Sequence, residues 1–302
     1  MGACVCCWGA LALSAQQATP EATLENVRYV PGGQARQVLD VYLPEAEPPY
    51  PVVVMFPGSG AGKADANMID VAAHLVEQGY AAVSVDYRQR LPEALDDATC
   101  ALAWVAANAD TYGFDAGRLA TFGVSLGGQL AATLATGDEP ELFLEHCPNR
   151  LPNRARVKGV IAFAGALGEP DTDLALPSAR AFYQTFSAYK LSIIVNSLDR
   201  LVRTPPDEWR TSRALTADAR TIAQWLPLYW LDAGDPPFLL IHGLSDAVIP
   251  PAASERFAER LADAGVDVEL VLLPGAEHIF PLTPDVTAAL DLFLESAFAD
   301  DT

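Results

Sequence analysis

Short apolar runs at residues 52–56, 81–85, 118–122, 157–163, 238–241 and 268–273 alternate with segments whose apolar residues recur at helical spacing. Runs this short and this continuous suit strands buried on both faces of a parallel sheet. The intervening helices are expected at 66–78, 92–112, 125–135, 251–264 and 284–298. Residues 38–43 alternate apolar and polar as an outer strand would, and the proline-rich stretch 44–51 reads as a connection, not sheet interior. The expected class is therefore α/β: a mostly parallel central sheet of about eight strands flanked by helices. With 302 residues and 51% hydrophobic composition the chain can bury one large core.

Two stretches depart from the rhythm. Residues 1–20 carry an apolar run from 3 to 15, a small-residue end and a polar linker, the pattern of a secretory leader without its basic start. The run is short of the about 20 residues a spanning helix needs, so no stable membrane insertion is expected. The body is then 21–302, and a secreted or periplasmic location follows, with a cytoplasmic one as the alternative. The second stretch, about 166–236, lacks a strong strand and is too long for an ordinary connection, so it reads as a helical cap inserted into the body. Phe182, Phe186 and Tyr189 fall on one helical face, and Ile222, Trp225, Leu226 and Tyr229 repeat that spacing. Phe182, Phe186, Trp225 and Tyr229 are the candidate pocket residues, although such stripes also pack as plain core.

The chemistry centres on Gly123-Val124-Ser125-Leu126-Gly127, at the junction of a buried strand and a helix-forming segment. A sharp strand-to-helix turn presents the Ser125 hydroxyl above the sheet edge, and the glycines let neighbouring backbone approach. A hydroxyl needs a base to become a nucleophile. Of the four histidines, His74 and His146 read as surface or packing residues and His242 as ordering the turn after its strand. His278 lies in a loop directly after a strand, at the carboxyl edge where α/β sites form, and is the expected base. Asp246, in the loop after the preceding strand, is the expected acid, with Asp171, Asp173 and Glu277 as rivals. The oxyanion donors should be the amide of Leu126 and one of Ser59 or Gly60, in the glycine-rich loop after 52–56. That loop superficially looks like a phosphate loop, but Ala64 follows Lys63 where a hydroxyl residue belongs, and the glycine spacing fails.

These segments, LDVYLP, PVVVMFPGSG, VSVDYR, GVSLGG, HGLSDAVIP and LPGAEH, resemble the α/β-hydrolase superfamily. The likeness is to small bacterial esterases and lipases of the feruloyl-esterase-like and acetylxylan-esterase-like kind, and it extends over nearly the whole body. It implies a serine carboxylesterase working through an acyl-enzyme on a small-molecule ester, with no metal and no cofactor. A serine peptidase, a polyester hydrolase and a non-catalytic binding module on the same fold are the alternatives. Relatives often carry His-Gly-Gly-Gly where this chain has Pro57-Gly58-Ser59-Gly60, which leaves Ser59 and Gly60 as alternative donors. Relatives can also bridge cysteines on the helices flanking the nucleophile strand, which implies a disulfide between Cys100 and Cys147, the two cysteines left once the leader is set aside. The formal charge of -20 excludes nucleic acid as a partner and favours neutral esters over anionic ones.

Overall fold

The computed structural model describes residues 21–144, 146–151, 157–169, 185 and 191–299. The expected leader, and Phe182 and Phe186, lie outside the described residues. Eight strands are seen: β1 Leu24–Arg28, β2 Val38–Tyr42, β3 Tyr50–Phe56, β4 Ala81–Val85, β5 Phe114–Val124, β6 Val157–Phe163, β7 Phe238–Gly243 and β8 Val268–Leu273. They form one sheet in the order β1-β2-β4-β3-β5-β6-β7-β8. The β1–β2 and β2–β4 pairs are antiparallel, and every later neighbour is parallel. The loops that follow β3, β5, β7 and β8 therefore emerge at one edge of the sheet, the arrangement that builds sites in α/β proteins.

Helices cover both faces. On one side α1 (Ala66–Glu77) and α8 (Pro284–Ala297) pack on alternate side chains of the central strands, with Met68, Leu75, Phe122, Ile161, Leu239 and Leu290 fully or almost fully buried. On the other, α2 (Glu93–Ala107), α4 (Leu126–Thr136) and α7 (Ala252–Ala264) enclose Val54, Val83, Leu130, Leu240 and Phe257. A single helix over 92–112 is not formed. It breaks at Asn108, whose side-chain amide donates to the Trp104 carbonyl at 2.8 Å, and a short α3 (Ala109–Tyr112) follows. An Asn side chain that satisfies backbone groups in this way competes with helix continuation.

Two expectations at the sheet's first edge need correction. Residues 38–43 are not the outer strand: β2 lies second, buried at all five positions, and the outer strand is β1, half exposed and polar. The polar member of the alternation, Asp40, is buried and ion-paired with Lys63, which is how a carboxylate tolerates that place. The connection 44–51 ends sooner than its prolines imply, because β3 starts at Tyr50, whose N–H donates to the Gly113 carbonyl at 2.7 Å. Pro51 is tolerated there as the second residue of the strand, before the buried run begins.

Between β6 and β7 the described residues include α5 (Leu191–Val202) and α6 (Ala217–Ala223). Ile194, Leu198 and Leu201 face the core from α5, and Trp209, Trp225 and Trp230 are fully or almost fully buried. The segment is tied to α4: Gln129 Nε2 and Thr133 Oγ1 donate to the Trp225 carbonyl at 2.9 and 3.1 Å. The spacing of Ile222, Trp225, Leu226 and Tyr229 does not belong to one helix. The segment leaves α-helix after Ala223, and residues 227–229 form a separate 3-10 turn beginning at Pro227, whose ring cannot continue the preceding helix.

Candidate active site

Ser125 stands between the end of β5 and the start of α4 with φ 56° and ψ -118°, a backbone conformation that a non-glycine residue adopts only under constraint. The constraint is visible. A Cβ on Gly123 would lie 2.0 Å from the Gly127 carbonyl oxygen, and one on Gly127 would lie 2.0 Å from the Phe56 oxygen. Only glycines allow the turn to close so tightly against itself and against β3. The Ser125 N–H donates to the Phe163 carbonyl of β6 at 2.9 Å, and the residue is 7% exposed. Leu126 is the first residue of α4, so its N–H has no acceptor within the helix.

Asp246 follows β7 and His278 follows β8, and their loops are in direct contact. Gly243 makes this possible: a Cβ there would lie 2.3 Å from the Glu277 carbonyl oxygen. The Ser245 N–H donates across the same seam to Ala276 at 2.8 Å. His278 Nδ1 lies 2.7 Å from Asp246 Oδ2. A carboxylate only accepts, so Nδ1 carries the proton and Nε2 is left as the basic nitrogen. The other oxygen, Oδ1, accepts from the Val248 and Ile249 amides at 2.7 and 2.9 Å. Burial pushes the Asp246 carboxyl upward, but donation from His242, His278 and these two amides outweighs it and holds the group well below the usual carboxylate range.

His242 was expected to order a turn; it does more. It is fully buried, and its Nε2 lies 3.0 Å from both Asp246 Oδ2 and the Ile249 carbonyl. Both partners are acceptors, so Nε2 carries hydrogen and Nδ1 accepts from the Ser254 hydroxyl at 2.7 Å. Two histidines thus share one carboxylate oxygen. The visible signal was the spacing: His242 precedes Asp246 by four residues. Of the other expected rivals, His74 bonds Asp291 on α8, and Asp171 and Asp173 lie outside the described residues.

A cavity of about 300 Å³ opens beside His278, between α1 and residues 278–282. Phe122, Phe163 and Phe280 line it, together with Val124, the neighbour of Ser125, while Asn67 and Asp70 supply its polar side. Trp225 and Tyr229 do not line it. Trp225 is 1% exposed in the core beneath α4, and Tyr229 is half-buried with the Arg210 guanidinium 5.7 Å over its ring. Cys100 on α2 and Cys147 are joined by a disulfide with Cα atoms 5.3 Å apart, although Cys147 lies in a turn and not on a helix as expected. Among the described residues there is no cluster of His, Cys, Asp and Glu suited to a metal ion, and no helix is long and apolar enough to cross a membrane.

The family profile BD-FAE matches residues 39–261. Esterase LipC of Mycobacterium tuberculosis is 31% identical over 284 residues, covering 88% of this chain and 64% of LipC. The same organism's probable carboxylic ester hydrolase LipM is 25% identical, covering 82% of this chain and 55% of LipM. The chain thus spans between half and two thirds of the length of these curated relatives. Among solved structures, a truncated carbohydrate esterase from gut microbiota superposes with a TM-score of 0.65 at 21% identity, covering 93% of this chain and 98% of that one. Propionate-bound esterase Est2 of Thermogutta terrifontis gives 0.63 at 21%, covering 92% and 93%. At these identities the structural likenesses establish the α/β-hydrolase fold.

Proposed function

This chain belongs to the BD-FAE family of α/β-hydrolases, and from that premise we propose that it is a serine carboxylesterase acting on neutral, small-molecule esters through an acyl-enzyme. One observation carries the reading: a strained Ser125 ends β5 at the sheet edge where the loops after β7 and β8 join a buried Asp246 to the His278 imidazole. Strain of about 1–3 kcal/mol at a single residue persists only where surrounding structure enforces it, and such residues cluster at reacting centres.

In the first half-reaction His278 Nε2 takes the Ser125 hydroxyl proton as Oγ adds to the ester carbonyl. The oxyanion formed accepts from the Leu126 amide and an amide of the loop after β3. The carbonyl re-forms, the bond to the alcohol oxygen breaks, and His278 returns its proton to that oxygen. Water then repeats the sequence on the acyl-enzyme and frees the acid and Ser125. Asp246 stays ionised throughout, and its depressed protonation range supports that role. The apolar cavity beside His278 is where we place the apolar group of the substrate. An oxidising location, secreted or periplasmic, is supported by the Cys100–Cys147 bridge.

The test is Ser125→Ala. With p-nitrophenyl acetate it should lose at least about a thousandfold in kcat while its melting profile stays near that of the parent. Wild-type turnover in that variant would sink the reading. Peptide p-nitroanilides and an insoluble polyester film, assayed beside a series of p-nitrophenyl esters, separate the peptidase and polyester alternatives.

A further inference from the structure

The loop after β3 abuts the nucleophile, for a Cβ on Gly58 would lie 3.4 Å from Ser125 Cβ. Residues 58–61 form a tight turn: the Ala61 N–H donates to the Gly58 carbonyl at 3.2 Å, and Gly60 has φ 81°, as the third residue of a type II turn requires. Such a turn on its own is mobile, yet here several of its polar backbone groups are claimed from outside, most of them by one segment, while Arg36 Nη2 also donates to the Ala61 carbonyl at 2.6 Å. That segment is residues 86–89, which continue β4. The Asp86 carboxylate accepts from the Lys63 amide at 3.0 Å, and the Tyr87 hydroxyl donates to the Pro57 carbonyl at 2.6 Å.

Gln89 makes the central contacts. Its Nε2 donates to the Gly58 and Ala61 carbonyls at 3.2 and 2.8 Å, and its Oε1 accepts from the Gly60 N–H at 2.7 Å. The segment is itself rigid, because the neighbouring Arg88 guanidinium grips the buried Asp97 carboxylate of α2 with two bonds of 2.9 and 2.8 Å. Among the described residues the Ser59 N–H has no such acceptor. Of the two candidate donors, the Gly60 N–H, held 2.7 Å from a carboxamide oxygen, is not available to a developing oxyanion, which leaves the Ser59 N–H.

We propose that Gln89 is the positioning residue of the oxyanion loop and that, because it occupies the Gly60 amide, the loop's donor to the oxyanion is the amide of Ser59. The proposal rests on the esterase reading above. It also makes the two candidate donors predict opposite outcomes. If Ser59 donates, removing Gln89 loosens the turn and weakens transition-state binding. If Gly60 donates, removing Gln89 releases its N–H and leaves kcat unchanged or raised.

The experiment measures kcat and KM for p-nitrophenyl acetate and the inhibition constant of a trifluoromethyl ketone in the wild type, Gln89→Leu and Gln89→Glu. The Glu variant keeps an acceptor for Gly60 but faces two carbonyl oxygens with a carboxylate. One oxyanion donor is worth about a hundredfold to a thousandfold in kcat, so losing its positioning should cost about tenfold or more. We expect both variants to lose that in kcat with KM changed less than about threefold, and the inhibition constant to rise by the same factor as kcat/KM falls. A role confined to holding the fold would lower the melting temperature without that parallel. Wild-type kcat in Gln89→Leu, or a loss confined to KM, overturns the proposal. If the wild type neither turns over the ester nor is labelled on Ser125 by a fluorophosphonate, the esterase reading itself fails and takes this one with it.

Discussion

Asp246 shows how much one carboxylate must be surrounded before it can serve a histidine. It has lost most of its water, and four donors keep it ionised; the sequence suggests for one of them, His242, only that it orders its own turn. Removing it has two consequences. His242→Ala leaves the Ile249 carbonyl and the Ser254 hydroxyl unpaired in a buried site and opens a void, so stability should fall by about 2–4 kcal/mol. It also withdraws one of the groups that hold the Asp246 carboxyl down, so the low-pH loss of esterase activity should begin at a higher pH than in the parent. Urea unfolding and a pH profile of kcat/KM read the two effects separately; a profile that does not move would show that His242 supports the fold alone. The strand-end positions of Ser125, Asp246 and His278 were legible because each sits just past an apolar run. The role of His242 was not, because it depends on Ile249 and Ser254, which only the folded loop and α7 bring to the ring.

At the scale of elements, the parallel strands were the most legible part. Residues 81–85, 157–163 and 268–273 are strands over the bounds their apolar runs imply. The expected burial fails for the last of them: β8 is the other edge of the sheet, and none of its six residues is buried. β1 was not legible, since LENVR pairs on one side only and keeps its polar side chains in solvent, leaving no hydrophobic pattern to read. β2 misled for the opposite reason: its polar Asp40 is buried because Lys63, from the loop after β3, reaches it. The disulfide is an element-scale constraint as well. It closes a loop of 47 residues that contains β5, the Ser125 turn and α4, and a loop of that size is worth up to about 4 kcal/mol through the unfolded chain. The double variant Cys100→Ala/Cys147→Ala should therefore unfold at lower urea by the equivalent of about 2–4 kcal/mol while keeping the kcat of the parent, since the bridge touches none of the reacting groups. An unchanged urea midpoint would contradict this.

Over the whole molecule, the charge of -20 is tolerated unevenly. At the end of the sheet away from Ser125, Asp235 is pushed up to about 7, first by burial and then by the nearby Asp232 and Asp138 carboxylates. A carboxyl whose folded-state pKa is raised binds a proton more readily folded than unfolded, so folding loses stability as pH climbs from about 4, where the unfolded chain releases its proton, to about 7. Asp235→Asn keeps an acceptor for the Asp232 N–H and removes that penalty. After allowance for solvent screening, the variant should match the parent at pH 4 and exceed it by about 1 kcal/mol at pH 8. A difference that does not change with pH would refute this. The charge excess was legible from composition, but the approach of Asp138, Asp232 and Asp235 at this corner required the fold.

The central claim is that Ser125 is the nucleophile, and intact-mass spectrometry after brief exposure to a fluorophosphonate tests it most directly. The account predicts one adduct per chain, on the peptide carrying Ser125, and none in Ser125→Ala. An adduct at another residue, or an unlabelled wild type that still hydrolyses p-nitrophenyl acetate, would contradict it.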